Sequence, residues 1–258
     1  MSSPALSTKP ARYAQDLAGT IHSYETGGAV DGPGMRFVLF MSGCQMRCHY
    51  CHNPDTWKMK EGKRVSVNEV VADIGKYASF LRFAGGLTIS GGEPLVQADF
   101  VGALIRKVKA EYGLHVALDT NGGLGDAVSD AWFDPVDLVL LDVKHIDPIK
   151  HRNLTATALQ PVLEMARRLS WMGKPMWIRY VLVPGWTDAF DEVERMADFV
   201  AALGSVQRVE VLPFHNMAAH KWAAMAGRKY LLEGTPAPTP EVEARVRQQF
   251  ARRGLWVA

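Results

Sequence analysis

The sequence predicts an α/β fold in which strand–helix units curl into an incomplete barrel, and three observations predict it. Short apolar, β-branched runs alternate with longer stretches of helical apolar spacing. Cysteines and ionisable residues stand directly after those runs, on what would be the C-terminal edge of a parallel sheet. A chain of 258 residues with 48% hydrophobic residues is long enough for one barrel core.

Taken in order, residues 36–42 form the first β-rich run and deliver three cysteines from its end. Residues 66–80 read as a helix, with Val67, Val70, Val71 and Ile74 on one face and Asn68, Glu69 and Asp73 on the other. Residues 86–90 form a short buried strand that runs into Gly91-Gly92-Glu93-Pro94, and residues 100–112 the next helix. Strands at 115–119 and 137–143 end in Asp119-Thr120-Asn121-Gly122 and Asp142-Val143-Lys144. Helix 159–172 leads to strand 175–183, and helix 189–203 leads to strand 206–212, closed by Pro213-Phe214-His215. A last amphipathic helix spans about residues 240–253, after a proline-rich spacer. Six βα units with right-handed crossovers are two short of a closed barrel. The expected architecture is therefore an incomplete (β/α)6 TIM-like barrel, open on one side. Residues 1–19, polar and without an apolar core segment, read as a loosely ordered extension to a single domain at 20–258.

Composition narrows the function. A net charge of +2 with dispersed charges gives no basic stripe, which argues against nucleic acid. No apolar run is long enough for a membrane span. Three cysteines and no secretory signal point to the reducing cytoplasm.

Those cysteines all fall within Cys44-Gln45-Met46-Arg47-Cys48-His49-Tyr50-Cys51. Three thiolates so spaced can hold three corners of an iron–sulfur cube and leave the fourth iron open to a ligand. A zinc ion completed by His49 or His52 would use the same thiolates, and three clustered structural thiols are the plainest alternative. Asp119 and Asp142 end neighbouring strands, where two carboxylates would repel unless one is protonated or a cation joins them. As alternatives, Asp119 caps the following turn and Asp142 pairs with Lys144 or an arginine. Lys144 could equally be a solvated lysine, and Asp31, in Val30-Asp31-Gly32-Pro33-Gly34, is by default a turn residue.

With these motifs placed, residues from about Gly19 onward resemble the glycyl-radical activases of the radical S-adenosylmethionine (SAM) superfamily, in their pyruvate formate-lyase branch. The resemblance rests on the cysteine triplet, Val30–Gly34, Ser90-Gly91-Gly92-Glu93, Leu118–Gly122, Trp177-Ile178-Arg179-Tyr180, Val183-Pro184-Gly185-Trp186 and Leu212-Pro213-Phe214-His215. It implies a [4Fe–4S] cluster on Cys44, Cys48 and Cys51. SAM would be bound by Tyr50, Cys51, His52, Gly91, Gly92, Glu93, Val143, Lys144, His145 and His215. It also implies a monovalent cation held by the side chains of Asp119 and Asp142 and the main-chain oxygens of Thr120 and Leu140. The implied reaction is reductive SAM cleavage to a 5′-deoxyadenosyl radical, which removes hydrogen from a glycine of the partner. Asp31 would meet the partner's loop peptide, and a flavodoxin- or ferredoxin-like protein would supply the electron. No further cysteine occurs in residues 52–90, where multi-cluster relatives carry more. A radical SAM enzyme acting on another glycyl-radical enzyme or on a small molecule is the alternative, as is a non-enzymatic metal-binding module.

Overall fold

The computed structural model describes residues 16–225 and 227–258. Six strands run parallel: β2 (Met35–Met41), β4 (Gly85–Gly91), β5 (Val116–Thr120), β6 (Leu138–Asp142), β7 (Met176–Leu182) and β8 (Val206–Pro213). Two further strands, β1 (Ala18–Gly28) and β3 (Lys63–Ser66), add antiparallel to one side, giving the order β3-β1-β2-β4-β5-β6-β7-β8. β3 and β8 do not pair, so the barrel stays open, as six units require.

The helices are α1 (Val67–Gly75), α2 (Ala78–Ala84), α3 (Ala98–Tyr112), α4 (Pro148–Thr155), α5 (Gln160–Trp171), α6 (Phe190–Ala201), α7 (Ala219–Ala223) and α8 (Pro240–Ala251). Ser66 starts α1 with a reciprocal capping box to Glu69. The single helix expected over 66–80 is instead two, broken at Lys76–Tyr77. The short helix α4 is an addition to the expected elements; Asp147 caps it, accepting from Ile149 N and Lys150 N, with Pro148 in the first turn. Residues 1–15 of the expected extension lie outside the described residues. Its last two residues, Ala18 and Gly19, belong to β1, where they pair with Ser66 and Val65.

Strand alternation sorts the side chains. Leu87, Ile89, Leu118, Val139, Leu141, Ile178, Val209 and Val211 point outward into the main core beneath the helices. The opposite parity points into the barrel. Its lower part is a small apolar cluster of Ala117, Leu138, Leu140 and Trp177. Beside it lies the fully buried Arg36, which donates to Thr88 Oγ1 (2.9 Å), Pro33 O (3.3 Å), His115 O (3.3 Å) and Leu87 O. Further up, the same parity presents Ser90, Asp119, Asp142, Arg179 and Val181 to the open end. Sheet geometry therefore delivers polar groups to one place. No helix among the described residues is long and apolar enough to cross a membrane.

Candidate active site

A cavity of about 700 Å³ occupies the C-terminal mouth of the barrel. Its lining includes all three cysteines, Tyr50, His52, Gly91, Gly92, Asp119, Thr120, Asp142, Lys144, His215 and Asp31. Most of the residues singled out in the sequence thus converge.

The cysteine loop is stitched into place by its backbone. Gly43 N donates to Thr56 O (2.7 Å), Arg47 N to Thr155 O (2.8 Å) and His49 N to Leu154 O (3.0 Å), so the end of α4 holds the loop from behind. Across β2, Gly92 N donates to Met41 O and Glu93 N to Gly43 O, both at 2.8 Å. A Cβ on Gly91 or Gly92 would strike the backbone of Met41 or Gly43. These glycines are small because the cysteine strand crosses them closely, with Gly91 also at φ +107°. Burial pushes the thiols up, to about 12 for Cys44 and Cys48 and about 11 for Cys51. Bare thiolates are therefore disfavoured here, and a metal cluster is what would deprotonate them.

Glu93 does not line the cavity. It is fully buried, and its carboxylate accepts from Leu95 N (3.0 Å), Thr120 Oγ1 (2.7 Å) and Asn121 N (2.8 Å). Burial raises it to about 7 against the pull of those donors. Its side chain braces the glycine turn against the end of β5, turned away from the cavity where a cofactor contact is expected. Two other residues expected at the cofactor also place their side chains outside. Val143 is buried in the outer core; Leu140, expected at the cation only through its main-chain oxygen, has its side chain in the lower barrel. His145 packs behind the strand ends, near Trp186 O (3.2 Å) and Glu192 Oε2 (3.4 Å). Parity explains Val143, which follows Asp142 on the opposite face, while His145 lies in the turn toward α4.

The facing wall is ionic. Asp119 Oδ2 accepts from Ser90 Oγ (2.6 Å) and Arg179 Nη1 (3.2 Å), and Asp142 accepts from Lys144 Nζ (2.8 Å). Lys144 is not a solvated lysine. Burial opposes its charge, but Asp142, Tyr50 and Cys48 outweigh it and raise its pKa well above the usual lysine value. Burial raises Asp119, with Arg179 opposing and Asp142 adding to it. Arg179 also lies 3.3 Å from Glu210 Oε2 and donates to Val30 O (3.2 Å). In the sequence Arg179 stands inside the Trp177–Tyr180 motif with no role of its own. The signal that marks it is an arginine two residues after Trp177, at inward parity in an apolar strand.

At the rim, the His52 and His215 rings meet edge to face at 5.0 Å, and burial, then His215, lowers the pKa of His52. Tyr50 Oη is buried without a hydrogen-bond partner, and Lys144 Nζ lies 5.5 Å from its ring centre. The 30–34 loop tucks into the barrel, with Asp31 O accepting from Thr88 Oγ1 at 2.6 Å. Asp31 lines the cavity, and the pKa of its carboxyl is raised by burial against the charge of Arg179.

An open barrel whose mouth gathers three thiols, a glycine turn and, opposite them, an ionic wall suits a class of protein that holds a metal cluster beside a charged ligand. The family model described as the radical SAM superfamily matches residues 38–200. The pyruvate formate-lyase 1-activating enzyme of Escherichia coli K12 is 44% identical over 234 residues, covering 90% of this chain and 94% of that one. The pyruvate formate-lyase-activating enzyme of Staphylococcus aureus USA300 is 44% identical over 233 residues, 87% of this chain and 92% of that one. Among solved structures, a domain of a pyruvate-formate lyase-activating enzyme from Bacteroides vulgatus aligns at a TM-score of 0.55 with 23% identity, over 68% of this chain and 98% of that one. Streptococcus suis SuiB bound to precursor peptide SuiA aligns at 0.67 with 13% identity, over 88% of this chain and 49% of that one; both likenesses concern the fold. The chain belongs to the radical SAM superfamily and, within it, to the pyruvate formate-lyase-activating enzymes. Its cofactors are accordingly a [4Fe–4S] cluster and S-adenosyl-L-methionine.

The residues present fit both. Three thiols share one wall. A cube takes each thiolate on a different corner and leaves its fourth iron to a ligand in the same cavity. The unpartnered Tyr50 Oη and the buried Asp142–Lys144 pair fit a zwitterionic ligand beside the cluster.

Proposed function

We propose that this chain activates pyruvate formate-lyase by installing a radical on one of its glycines. The observation that carries this reading is the meeting of the three thiols, the Gly91–Gly92 turn, the ionic strand ends and Asp31 in one cavity. When bound, the cluster and SAM supply on one-electron reduction a 5′-deoxyadenosyl radical able to take hydrogen from a glycine Cα.

The chain's own residues bind, orient and shield. Cys44, Cys48 and Cys51 hold the cluster, and Gly91 and Gly92 offer backbone groups to the methionyl end of the cofactor. Lys144 supplies positive charge for its carboxylate, and Tyr50, His52 and His215 flank its adenosyl end. Asp119 and Asp142, with backbone oxygens of Thr120 and Leu140, hold a monovalent cation in competition with Arg179 and Lys144. Asp31 meets the incoming glycine loop through the open side of the barrel, where hydrogen transfer needs near-attack contact. A flavodoxin- or ferredoxin-like protein of the cytoplasm supplies the electron.

Anaerobic incubation of cluster-loaded enzyme, SAM and reductant with pyruvate formate-lyase, followed by electron paramagnetic resonance, tests this. A glycyl-radical doublet on the partner is expected. SAM cleavage without that signal would move the chain to another substrate.

A further inference from the structure

On the far side of the cysteine loop lies a second cavity of about 500 Å³. Arg47, Arg228 and Lys229 line it with Trp57 and Trp222, and no carboxylate does among the described residues. None of these three cations forms an ion pair among the described residues, whereas Lys221, in the short helix that carries Trp222, does pair, with Asp55 at 3.4 Å. Two guanidinium groups crowd one indole: Arg47 lies 5.0 Å and Arg228 5.1 Å from the Trp57 ring centre. Trp57 meets Trp222 edge to face at 5.3 Å, and Trp222 stacks on Tyr230 at 4.9 Å.

This surface connects directly to the cluster ligands. Trp222 Nε1 donates to Cys51 O (2.9 Å), and Arg47 Nη1 donates to Cys44 O (2.6 Å). Trp57 lines both cavities, forming the partition between them. The mouth of the barrel must hold cofactor and substrate while the electron arrives, so the electron needs another face. An exposed basic rim over the buried Trp57 and Trp222 fits a transient contact, because charge complementarity speeds encounter.

We propose that this cavity, with Arg228 and Lys229 at its rim, is the docking surface for an acidic one-electron carrier protein. The carrier is oxidised by one electron and the cluster reduced by one; nothing else crosses the interface. The proposal rests on the activase reading for the need of an electron, and on the cavity for its place.

The test compares cluster-loaded wild type with the double variant Arg228→Glu, Lys229→Glu. Arg47 is kept, because it holds the cysteine loop. Oxidised flavodoxin is titrated onto each by calorimetry at low and high ionic strength, and cluster bleaching by reduced flavodoxin is followed by stopped flow. The double variant is expected to bind about tenfold or more weakly at low salt, with the gap closing at high salt. Iron content and bleaching by dithionite should match wild type. Equal flavodoxin affinity in the two proteins would overturn the proposal, as would the same loss in a Lys76→Glu control outside the cavity. A fall in dithionite-driven radical yield would also overturn it, giving the face to the substrate protein. If dithionite-reduced wild type cleaves no SAM, the activase reading fails, and the titration still decides the docking surface.

Discussion

The two walls of the cleft are built differently. On the β2–β4 side the cysteine loop and glycine turn are fixed by main-chain hydrogen bonds, from Gly43, Arg47, His49, Gly92 and Glu93. On the β5–β7 side, position depends on side-chain charges: Asp119 with Arg179, and Asp142 with Lys144. A main-chain lattice tolerates loss of most single side chains, the exceptions being the thiols, Arg47 on the Cys44 carbonyl, and the two glycines that admit no Cβ. An ionic wall is cooperative, because removing one charge leaves its neighbours buried and unpaired.

The largest expected effect is on the stitched wall. Cys48→Ser should abolish the cluster, read as lost iron and visible absorbance after anaerobic reconstitution, while the backbone lattice keeps the melting temperature near wild type. A cluster retained in that variant would remove the triplet as ligand set. On the ionic wall, Arg179→Met should destabilise by about 3–5 kcal/mol, because it leaves the buried Asp119 without its cation, while Glu210 keeps Arg208 at 3.3 Å; Arg179→Lys should recover part of that. Denaturant unfolding measures both, and a loss as small as that at a surface site would show the wall is not cooperative.

Glu93 joins the walls and gives the third effect. A carboxyl raised from 4.5 to about 7 binds its proton more tightly when folded. Its contribution to stability is therefore full below the unfolded pKa and is lost as pH rises through about 7. Wild type should lose up to about 3 kcal/mol relative to Glu93→Gln between acid and mildly alkaline pH. Parallel pH profiles would show that the three donors hold it ionised throughout.

Asp31→Ala should slow radical formation on the partner by about tenfold, or ~1.4 kcal/mol, with SAM affinity nearly unchanged. Equal loss of both would place Asp31 in the ionic wall. Exchanging the monovalent ion should change SAM affinity least, by roughly threefold, since Arg179 and Lys144 already balance the two aspartates. Complete indifference to the ion would leave those pairs as the only charge balance.

The same contrast explains what is legible in the sequence. The stitched wall is local: three cysteines within eight positions and one Gly-Gly-Glu carry it. The six parallel strands are readable because each is a short apolar run. β1 and β3 are not, because Ala18–Gly28 is half exposed and polar and Lys63–Ser66 is four residues long. Arg179 is marked by its inward parity, but its partners are not, since the pairing of Asp142 with Arg179, and of Arg179 with Glu210, is a property of strand register. Glu93 stands out for its motif, yet its direction does not, because only the fold shows that the nearest donors lie on β5 and beyond.

An open sheet also has two rims that another chain could extend into a larger aggregate. One rim is β3, kept to four residues and carrying the exposed Lys63 and Arg64. The other is β8, and residues 256–258 cover it: Val209 N donates to Trp256 O (2.8 Å) and Ala258 N to Val209 O (2.9 Å). Arg208 fastens that cover, lying 4.5 Å from the Trp177 ring centre and 4.9 Å from that of Trp256. The opening in the barrel thus carries a colloidal hazard at each rim, and at β8 the last strand's free edge is closed by residues 256–258.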